Sequence, residues 1–490
     1  MSPQLPINRL SSGVPGLDEV LGGGIPEFSF NLIAGGPGGG KTTLGHQIMF
    51  ANASPQRKAV YFNVLGEPPL KMLRYQQQYS FFDVSRIEES VRYVHLGDEA
   101  QSGGAPKVLE KIIDDVERTS PRIVVVDSFR AVIQRTLEEP QGEQFLQDFM
   151  QRLAVHLTTC EATTFLIGEY LDQEQTNSSV FTIADGILWL YQSLDRNSMV
   201  RKLQVLKMRG QGQIPGLHTM RITSDGVRIF PRLLKPDEPA TQVAVTRGSR
   251  LSTGVDGLDE MLGGGIPRGY SMLLAGPSGS GKTVLSNQFI VDGVTRGEPG
   301  VIAVFEKRPN DYLNTTPHGS KFEQMARAGK LGILYLRPLD LSIDETLTAL
   351  REEVLRLGAK RVVIDSLSGL ELALAPTFRD EFRESLYRMM GSLTALGVTI
   401  VATVELADTY TDLRFSPQGI AFLTDAIIMQ RYVEMDGQLR RALAVIKVRA
   451  SEHSKDLREY EIHRDGVVVI GKSLSQYEGV LSGAPRRREG

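Results

Sequence analysis

A chain of 490 residues is too long for one ordinary hydrophobic core, so two or three domains are expected. Its 41% hydrophobic and 23% charged residues are typical of a globular protein, and no apolar run approaches the roughly 20 residues of a membrane span. The net charge of −3 gives no general excess of positive charge for holding nucleic acid.

The single cysteine, Cys160, excludes an intrachain disulfide and any cysteine-based zinc module. It is expected to be a small buried hydrophobic residue. The first ten residues have neither the basic start nor the apolar stretch of an export signal, so a cytosolic location is expected.

The chain contains an internal repeat. The segment from Leu10, LSSGVPGLDEVLGGGIPEFSFNLIAGGPGGGKTTL, recurs from Leu251 as LSTGVDGLDEMLGGGIPRGYSMLLAGPSGSGKTVL. The similarity continues to the end of each copy, so each copy is a complete domain. The predicted domains are residues 1–236 and 237–490, joined by a proline-rich connector at 231–246. The second ends in a short glycine-containing segment, 471–490, that is expected to be a mobile tail.

Apolar strands alternate with amphipathic helices in both copies. The first copy has predicted strands at 30–34 and 123–126, and between them a helical series of Leu109, Ile112, Ile113 and Val116. The second copy has predicted strands at 272–275 and 362–364, with the corresponding series Leu347, Leu350, Val354 and Leu357. This alternation predicts an α/β fold of two tandem domains, each a mainly parallel sheet flanked by helices.

Two glycine-rich loops fit the P-loop pattern G-x-x-x-x-G-K-[ST] between a strand and a helix. Glycines let backbone N–H groups surround a phosphate, while the lysine reaches the β- and γ-phosphates and the threonine hydroxyl binds Mg²⁺. The predicted ATP-binding residues are Gly36, Gly38, Gly39, Gly40, Lys41, Thr42 and Thr43 in the first copy and Gly276, Ser278, Gly279, Ser280, Gly281, Lys282 and Thr283 in the second.

Asp127 and Asp365 end the apolar strands VVVDS and VVIDS. A carboxylate at the carboxyl edge of such a strand can hold a Mg²⁺-bound water beside the phosphates, which is the Walker B role. Together with Thr42 and Thr283 they form the two predicted magnesium sites, and the predicted cofactors are ATP and Mg²⁺.

The tandem arrangement, the motif S-[ST]-G-V-x-G-L-D-E-x-L-G-G-G-I-P and a closing K-x-R strand resemble KaiC, the family of RecA-like ATPases of the cyanobacterial clock. The resemblance covers nearly the whole chain. It implies stacked rings of six subunits with ATP held at the subunit boundaries, and therefore a homohexamer.

The family carries two glutamates after the second strand of each domain, and they prepare the attacking water. In the second copy the resemblance assigns the first position to Glu306, while the second position has become Lys307. In the first copy an ungapped alignment puts Leu65 at the first position, whereas a one-residue shift lets Glu67 take the second. Both alignments stay open.

The K-x-R residues are Lys207 and Arg209 in the first copy and Lys447 and Arg449 in the second. In the family such residues reach the γ-phosphate bound by the neighbouring subunit, where positive charge stabilises the transition state. The alternative is an exposed cationic strand edge.

The family's kinase members phosphorylate adjacent Ser and Thr residues, but the corresponding positions here are Ala421 and Phe422, without hydroxyls. The predicted function is a ring-forming ATPase that acts as a nucleotide-dependent switch for a signalling partner. Three alternatives stay open: an autokinase using Thr424 or Ser416, a DNA-handling RecA-like ATPase, and a scaffold that binds ATP without hydrolysing it. A DNA-handling protein would need basic loops with aromatic residues to bind the strand, and the sequence shows no such run.

Overall fold

The computed structural model describes residues 7–64, 69–128, 142–170, 179–195, 198–232, 249–336, 341–374, 382–406, 423–435, 437–480 and 486–487. The chain divides into two compact units, Met1–Arg232 and Leu233–Gly490. The predicted boundary at 236/237 and nearly all of the predicted connector lie outside the described residues.

Domain 1 alternates strands and helices as the sequence pattern predicts. Its elements are β1 (Arg9–Leu10), α1 (Leu17–Val20), β2 (Ile25–Pro26), β3 (Phe30–Gly35), α2 (Lys41–Asn52), β4 (Ala59–Asn63), α3 (Pro69–Gln76), β5 (Val91–His95), α4 (Gly97–Thr119), β6 (Ile123–Asp127), α5 (Gly142–Thr159), β7 (Thr163–Glu169), α6 (Ser179–Ile183), β8 (Gly186–Asp195), β9 (Ser198–Met208), β10 (His218–Thr223) and β11 (Gly226–Phe230).

Domain 2 repeats this order. Its elements are β12 (Arg250–Leu251), α7 (Asp256–Met261), β13 (Ile266–Pro267), β14 (Ser271–Gly276), α8 (Lys282–Thr295), β15 (Gly300–Val304), α9 (Pro309–Thr315), α10 (Gly319–Arg327), β16 (Leu331–Tyr335), α11 (Ile343–Leu357), β17 (Arg361–Asp365), α12 (Leu367–Ala373), α13 (Phe382–Ala395), β18 (Thr399–Glu405), β19 (Ala426–Met435), β20 (Gln438–Val448), β21 (Arg458–Ile462), β22 (Val468–Ser473), β23 (Tyr477–Glu478) and β24 (Arg486–Arg487).

Each domain is built on a nine-stranded sheet. The order is β5-β4-β6-β7-β3-β8-β9-β10-β11 in domain 1 and β16-β15-β17-β18-β14-β19-β20-β21-β22 in domain 2. The first six strands of each order are parallel, and the last three join by antiparallel pairing. The predicted fold class, two tandem RecA-like α/β domains, is confirmed.

The central strands are buried on both faces, which explains their continuous apolar sequences. Residues 123–126 are wholly buried, and the helical series of α4 packs Ile112 and Val116 against the same core. The series of α11 does the same in domain 2 with Leu347, Leu350 and Val354. Within the described part of the chain, none of the helices combines the length and hydropathy that a bilayer crossing needs.

Two expectations from the sequence need correction. Cys160 is only half-buried, at the end of α5, although it does pack against the domain core. The end of the chain is not a free tail over its described residues, because Leu474 and Val480 are buried with Val433 and Met435 in a small apolar cluster. The glycines of this segment suggested mobility, but its apolar side chains have a surface to cover.

A buried arginine ties three segments of domain 2 together. Arg361, at the start of β17, is 1% exposed. Its guanidinium donates to the Glu298 carboxylate at 2.7 and 2.9 Å and to Asp292 at 3.2 Å. It also donates to the carbonyl oxygens of Ser252 and Phe289 at 2.9 and 2.7 Å. The arginine therefore links β17 to the loop after β12 and to the end of α8.

We expect Arg361→Leu to destabilise domain 2 by about 3 kcal/mol, because breaking a buried ion pair leaves its partners without their donor. This is the lower end of the usual range, since Glu298 and Asp292 each keep a second arginine. Calorimetry should show the unfolding transition of domain 2 at a lower temperature than in the parent protein, while the transition of domain 1 stays in place. Fluorescence of Trp189, the only tryptophan and a buried residue of domain 1, should keep its midpoint.

The matched control is Arg356→Leu, which removes an arginine from a surface pair with Glu353 at the end of α11. It should leave both transitions in place. If the two variants unfold alike, the Arg361 network contributes nothing to the stability of domain 2.

Candidate nucleotide-binding sites

The loop between β3 and α2 has a backbone that requires glycine. Gly38 and Gly40 have φ values of 71° and 94°, in the left-handed region that side chains disfavour. A Cβ atom on Gly40 would lie 2.5 Å from the Ile222 side chain. The loop ends at Lys41, the first residue of α2, so its backbone N–H groups and the positive end of the helix face the same side.

The predicted lysine, threonine and aspartate of domain 1 lie together at this loop. Lys41 Nζ donates to the Gly36 carbonyl at 2.7 Å. Asp127 Oδ2 accepts from Thr42 Oγ1 at 2.7 Å and from Tyr61 OH at 2.6 Å. The structure therefore brings the predicted lysine, threonine and aspartate together, and it adds a tyrosine that the sequence analysis missed.

Burial and neighbouring charges oppose each other in this site. Burial raises the pKa of Asp127, while hydrogen bonds from Tyr61 and Thr42 and the charge of Lys41 lower it. Burial lowers the pKa of Lys41, whereas the charges of Glu169 and Asp127 raise it. The neighbouring charges therefore offset part of the cost of burial, and phosphate oxygens would further favour the protonated lysine.

A cavity of about 530 Å³ opens beside the loop, large enough for a small-molecule ligand. Besides the residues already named, it is lined by Glu169, Tyr79, Met72 and Arg201. Arg201 reaches the loop from β9, where its Nε donates to the Gly38 carbonyl at 3.3 Å. Sequence reasoning missed these residues because each lies far along the chain from the P-loop.

Domain 2 repeats the arrangement with different partners. Lys282 Nζ donates to the carbonyl oxygens of Gly276 and Pro277 at 2.8 and 2.7 Å. Asp365 Oδ1 accepts from Thr403 Oγ1 at 2.6 Å, and the carboxylate also accepts from the Thr283 side chain. Burial raises the pKa of Asp365, and both hydrogen bonds lower it.

Glu306 lies close to this aspartate, two residues after β15 ends. Its Oε1 accepts from Ser366 Oγ at 2.9 Å, and Ser366 directly follows Asp365 and caps α12. The negative charge of Glu306 helps to raise the pKa of Asp365, after the larger effect of burial. The structure therefore brings an exposed carboxylate to the domain 2 site.

The two glutamate alignments in domain 1 can be compared with the sheet register. Asn63 and Val304 end β4 and β15, 241 residues apart, and each pairs with the aspartate of the neighbouring strand. The helices that follow, α3 and α9, begin 240 residues apart. Domain 1 thus has one more residue between strand and helix, as the shifted alignment of Glu67 requires. Leu65, Gly66 and Glu67 themselves lie outside the described residues.

The K-x-R residues of domain 1 lie away from its own P-loop. Across strand β8, Lys207 is in register with Leu32. Leu32 lies three residues before Gly35, where β3 ends and the P-loop begins. Its Nζ donates to two carbonyl oxygens at the end of α6, at 3.0 and 3.2 Å. Arg209 Nη1 donates to Asp185 Oδ1 at 3.0 Å, while Asp185 Oδ2 accepts from the backbone N–H of Phe30 at 3.0 Å.

Domain 2 has the same arrangement. Lys447 Nζ donates to the carbonyl of Thr424 at 2.6 Å, and Arg449 Nη1 donates to Asp425 Oδ1 at 3.3 Å. Asp425 Oδ2 accepts from the backbone N–H of Ser271 at 3.0 Å. Burial lowers the pKa of Lys447, as it does for Lys207, and the adjacent arginine lowers it further.

Of the candidate phosphate acceptors, Thr424 lies within the described residues and is buried. Thr424 is 1% exposed, so its hydroxyl is not accessible to a phosphate donor in this conformation. Ser416, Ala421 and Phe422 lie outside the described residues. The described part of the chain therefore offers no support for autophosphorylation at Thr424.

The residues fit a magnesium nucleotide. Each site joins a phosphate-sized glycine loop to a hydroxyl and a carboxylate, and oxygen ligands are those that Mg²⁺ prefers. Among the described residues there is no group of three or more His, Cys, Asp or Glu side chains that could hold a metal by itself. Phosphate oxygens would have to complete the coordination, as in other P-loop proteins.

A tandem pair of RecA-like P-loop ATPase domains is the class of protein that this fold and these sites define. Within that class, the chain belongs to the KaiC ATPase family, whose ATPase domain matches residues 10–233 and again residues 251–474. The protein is therefore a KaiC-type ATPase that binds nucleotide in a duplicated domain.

Similar proteins match along nearly their whole length. Circadian clock oscillator protein KaiC of a Picosynechococcus strain is 27% identical over 493 residues, covering 98% of this chain and 93% of that protein. KaiC of Rippkaea orientalis is 28% identical, covering 98% and 92%. KaiC 1 of a Synechocystis strain is 28% identical, covering 99% and 93%.

A buried histidine should make domain 1 sensitive to acid. His46 is wholly buried under the loop, and burial lowers its pKa to about 4. Between about pH 6.5 and pH 4 the unfolded chain binds the extra proton and the folded chain does not. Stability is therefore fully present above about pH 6.5 and falls towards pH 4, by about 3 kcal/mol in total from this residue.

We expect His46→Phe, which keeps a flat ring in place, to flatten this pH dependence. The measurement is the urea midpoint of Trp189 fluorescence in nucleotide-free protein between pH 7.5 and pH 4.5. Parallel slopes for the parent and the variant would show that His46 is not the group responsible.

Proposed function

We propose that the protein is a cytosolic, ring-forming ATPase whose nucleotide state switches its binding to a signalling partner. The ring is a homohexamer with Mg²⁺ and ATP at each subunit boundary. The similar proteins are named circadian clock proteins, which suggests the type of switch. The partner is a protein that distinguishes the ATP-bound ring from the ADP-bound ring.

One observation carries the ring in this proposal: the position of the K-x-R residues. Lys207 and Lys447 are each level with a residue three positions before the end of the P-loop strand, about 10 Å back along the sheet. Neither lysine is near its own P-loop, yet the pattern recurs in both domains. A neighbouring copy that presents this edge to the P-loop would bring the missing positive charge to the γ-phosphate.

The proposed roles follow from the chemistry of each residue. Lys41 and Lys282 bind the β- and γ-phosphates, Thr42 and Thr283 bind the metal, and Asp127 and Asp365 hold a metal-bound water. Bound Mg²⁺ supplies neutralisation of the charge on the phosphates.

Hydrolysis is proposed to occur mainly in domain 2, where Glu306 orients the attacking water and accepts its proton. This assignment is supported by the position of the Glu306 carboxylate, which accepts a hydrogen bond from Ser366 and acts electrostatically on Asp365. Domain 1 is proposed to bind nucleotide with less turnover than domain 2. Any hydrolysis there would use Glu67.

We expect Glu306→Gln to lower phosphate release at least tenfold, since general acid–base groups typically contribute 10²–10⁴-fold. ATP affinity and assembly should survive, because the glycine loop binds the phosphates and Asp365 holds the metal-bound water without Glu306. The control is Glu323→Gln, which removes the same charge from an exposed pair with Arg327 on α10 and should turn over ATP at the parent rate. Normal turnover in Glu306→Gln together with loss in Glu67→Gln would move the working site to domain 1.

Substitution of the two P-loop lysines should affect different properties of the protein. Lys41→Ala should weaken nucleotide binding and assembly with little effect on the chemistry of domain 2, whereas Lys282→Ala should abolish most turnover. Light scattering with and without ATP and Mg²⁺ measures assembly, because a ligand held between subunits stabilises the ring. A particle size unaffected by nucleotide would overturn the proposed ring, and equal losses of turnover with assembly intact would show that domain 1 hydrolyses too.

A further inference from the structure

The two strand-end aspartates are held from opposite sides. In domain 2, Asp365 accepts a hydrogen bond from Thr403, the fifth residue of β18. The fifth residue of β7, the matching strand of domain 1, is Ile167, which pairs directly with Asp127 and has no hydroxyl. Asp127 instead accepts from Tyr61 on β4, the strand on the other side of β6.

The tyrosine is part of a packed aromatic cluster of domain 1 whose matching positions in domain 2 hold no aromatic residues. Tyr61 is 1% exposed, and its ring lies 4.4 Å from the His46 ring and 5.4 Å from the Tyr93 ring, centroid to centroid. His46 Nδ1 lies 2.8 Å from the carbonyl oxygen of Thr42, to which it donates because a carbonyl only accepts. At the matching positions of domain 2 stand an asparagine and two isoleucines, Asn287, Ile302 and Ile333.

Tyr61 and Thr42 share one carboxylate oxygen. Both hydroxyls donate to Asp127 Oδ2, at 2.6 and 2.7 Å. The Thr42 hydroxyl would also ligate a metal through its oxygen, whereas the Tyr61 hydroxyl would act only on the carboxylate, which it holds from the neighbouring strand β4. Hydrogen bonds to a charged group are strong ones, and groups that orient metal-site residues contribute to metal affinity.

We propose that Tyr61 is a positioning residue of the domain 1 site, one that fixes the Asp127 carboxylate for a Mg²⁺-bound water and so takes the part that Thr403 plays in domain 2. The inference rests on the proposed binding of Mg²⁺ and ATP at this site. The phosphate grip of Lys41 and the glycine loop does not depend on it.

The test uses the full chain with Lys282→Ala, so that a fluorescent ATP analogue reports on domain 1. Tyr61→Phe removes only the hydroxyl and keeps the ring between its neighbours. The Mg²⁺ concentration needed for half-maximal nucleotide binding should rise about tenfold, the low end of the usual loss when such a supporting group is removed. Nucleotide affinity in EDTA should stay at the parent value.

Two further variants separate positioning from packing. Tyr93→Phe removes a buried hydroxyl of the same cluster. This hydroxyl has no hydrogen-bond partner among the described residues, so its loss should leave the Mg²⁺ dependence unchanged. Adding Ile167→Thr to Tyr61→Phe places a hydroxyl where Thr403 acts in domain 2, and it should restore most of the lost Mg²⁺ affinity.

Several outcomes would overturn the inference. Equal Mg²⁺ dependence of Tyr61→Phe and Tyr93→Phe would do so, as would a Tyr61→Phe defect that is the same in EDTA, since that would reflect damage to the fold. If the unfolding midpoint measured by Trp189 fluorescence falls in Tyr61→Phe but not in Tyr93→Phe, that too would indicate damage to the fold. If the Lys282→Ala protein with Tyr61 intact shows no Mg²⁺-dependent nucleotide binding, the proposed domain 1 site falls, and the role of Tyr61 with it.

Discussion

The hydrogen bond between the P-loop threonine and the strand-end aspartate is the contact on which the rest of each site depends. Thr42 belongs to the first turn of α2 and Asp127 to the last residue of β6, so their 2.7 Å bond joins the helix to the sheet. It forms only because β3 and β6 are parallel and end at the same edge. The glycine loop, the buried strands and the helix start all serve to bring these two oxygen-bearing side chains together.

The two domains keep this contact but support it differently. Domain 1 braces its aspartate with a tyrosine in an aromatic cluster, whereas domain 2 uses a threonine and adds Glu306 beside the serine that caps α12. Duplicated domains can diverge in this way because the backbone geometry is set by the glycines and the apolar strands. The polar neighbours can then change without altering the fold.

The sequence predicts the fold, the two P-loops and the two aspartates because each is a local pattern: a strand, a glycine loop and the start of a helix. It does not predict Tyr61 or Thr403, which meet their aspartates across strand pairings that no local pattern specifies. The packed end of the chain was missed for a related reason. Glycine and proline indicate freedom of the backbone, while the partners of Leu474 and Val480 lie on β19 and β20, far back in the chain.

Asp185 connects Arg209 of the K-x-R motif to the P-loop strand. Its carboxylate binds Arg209 with one oxygen and the first backbone amide of the P-loop strand with the other, and Asp425 does the same for Arg449 and Ser271. In the proposed ring, an arginine that turned to another subunit's phosphate would release a carboxylate that also anchors its own P-loop strand. In each domain a single carboxylate therefore couples the side chain of the K-x-R arginine to the start of the P-loop strand.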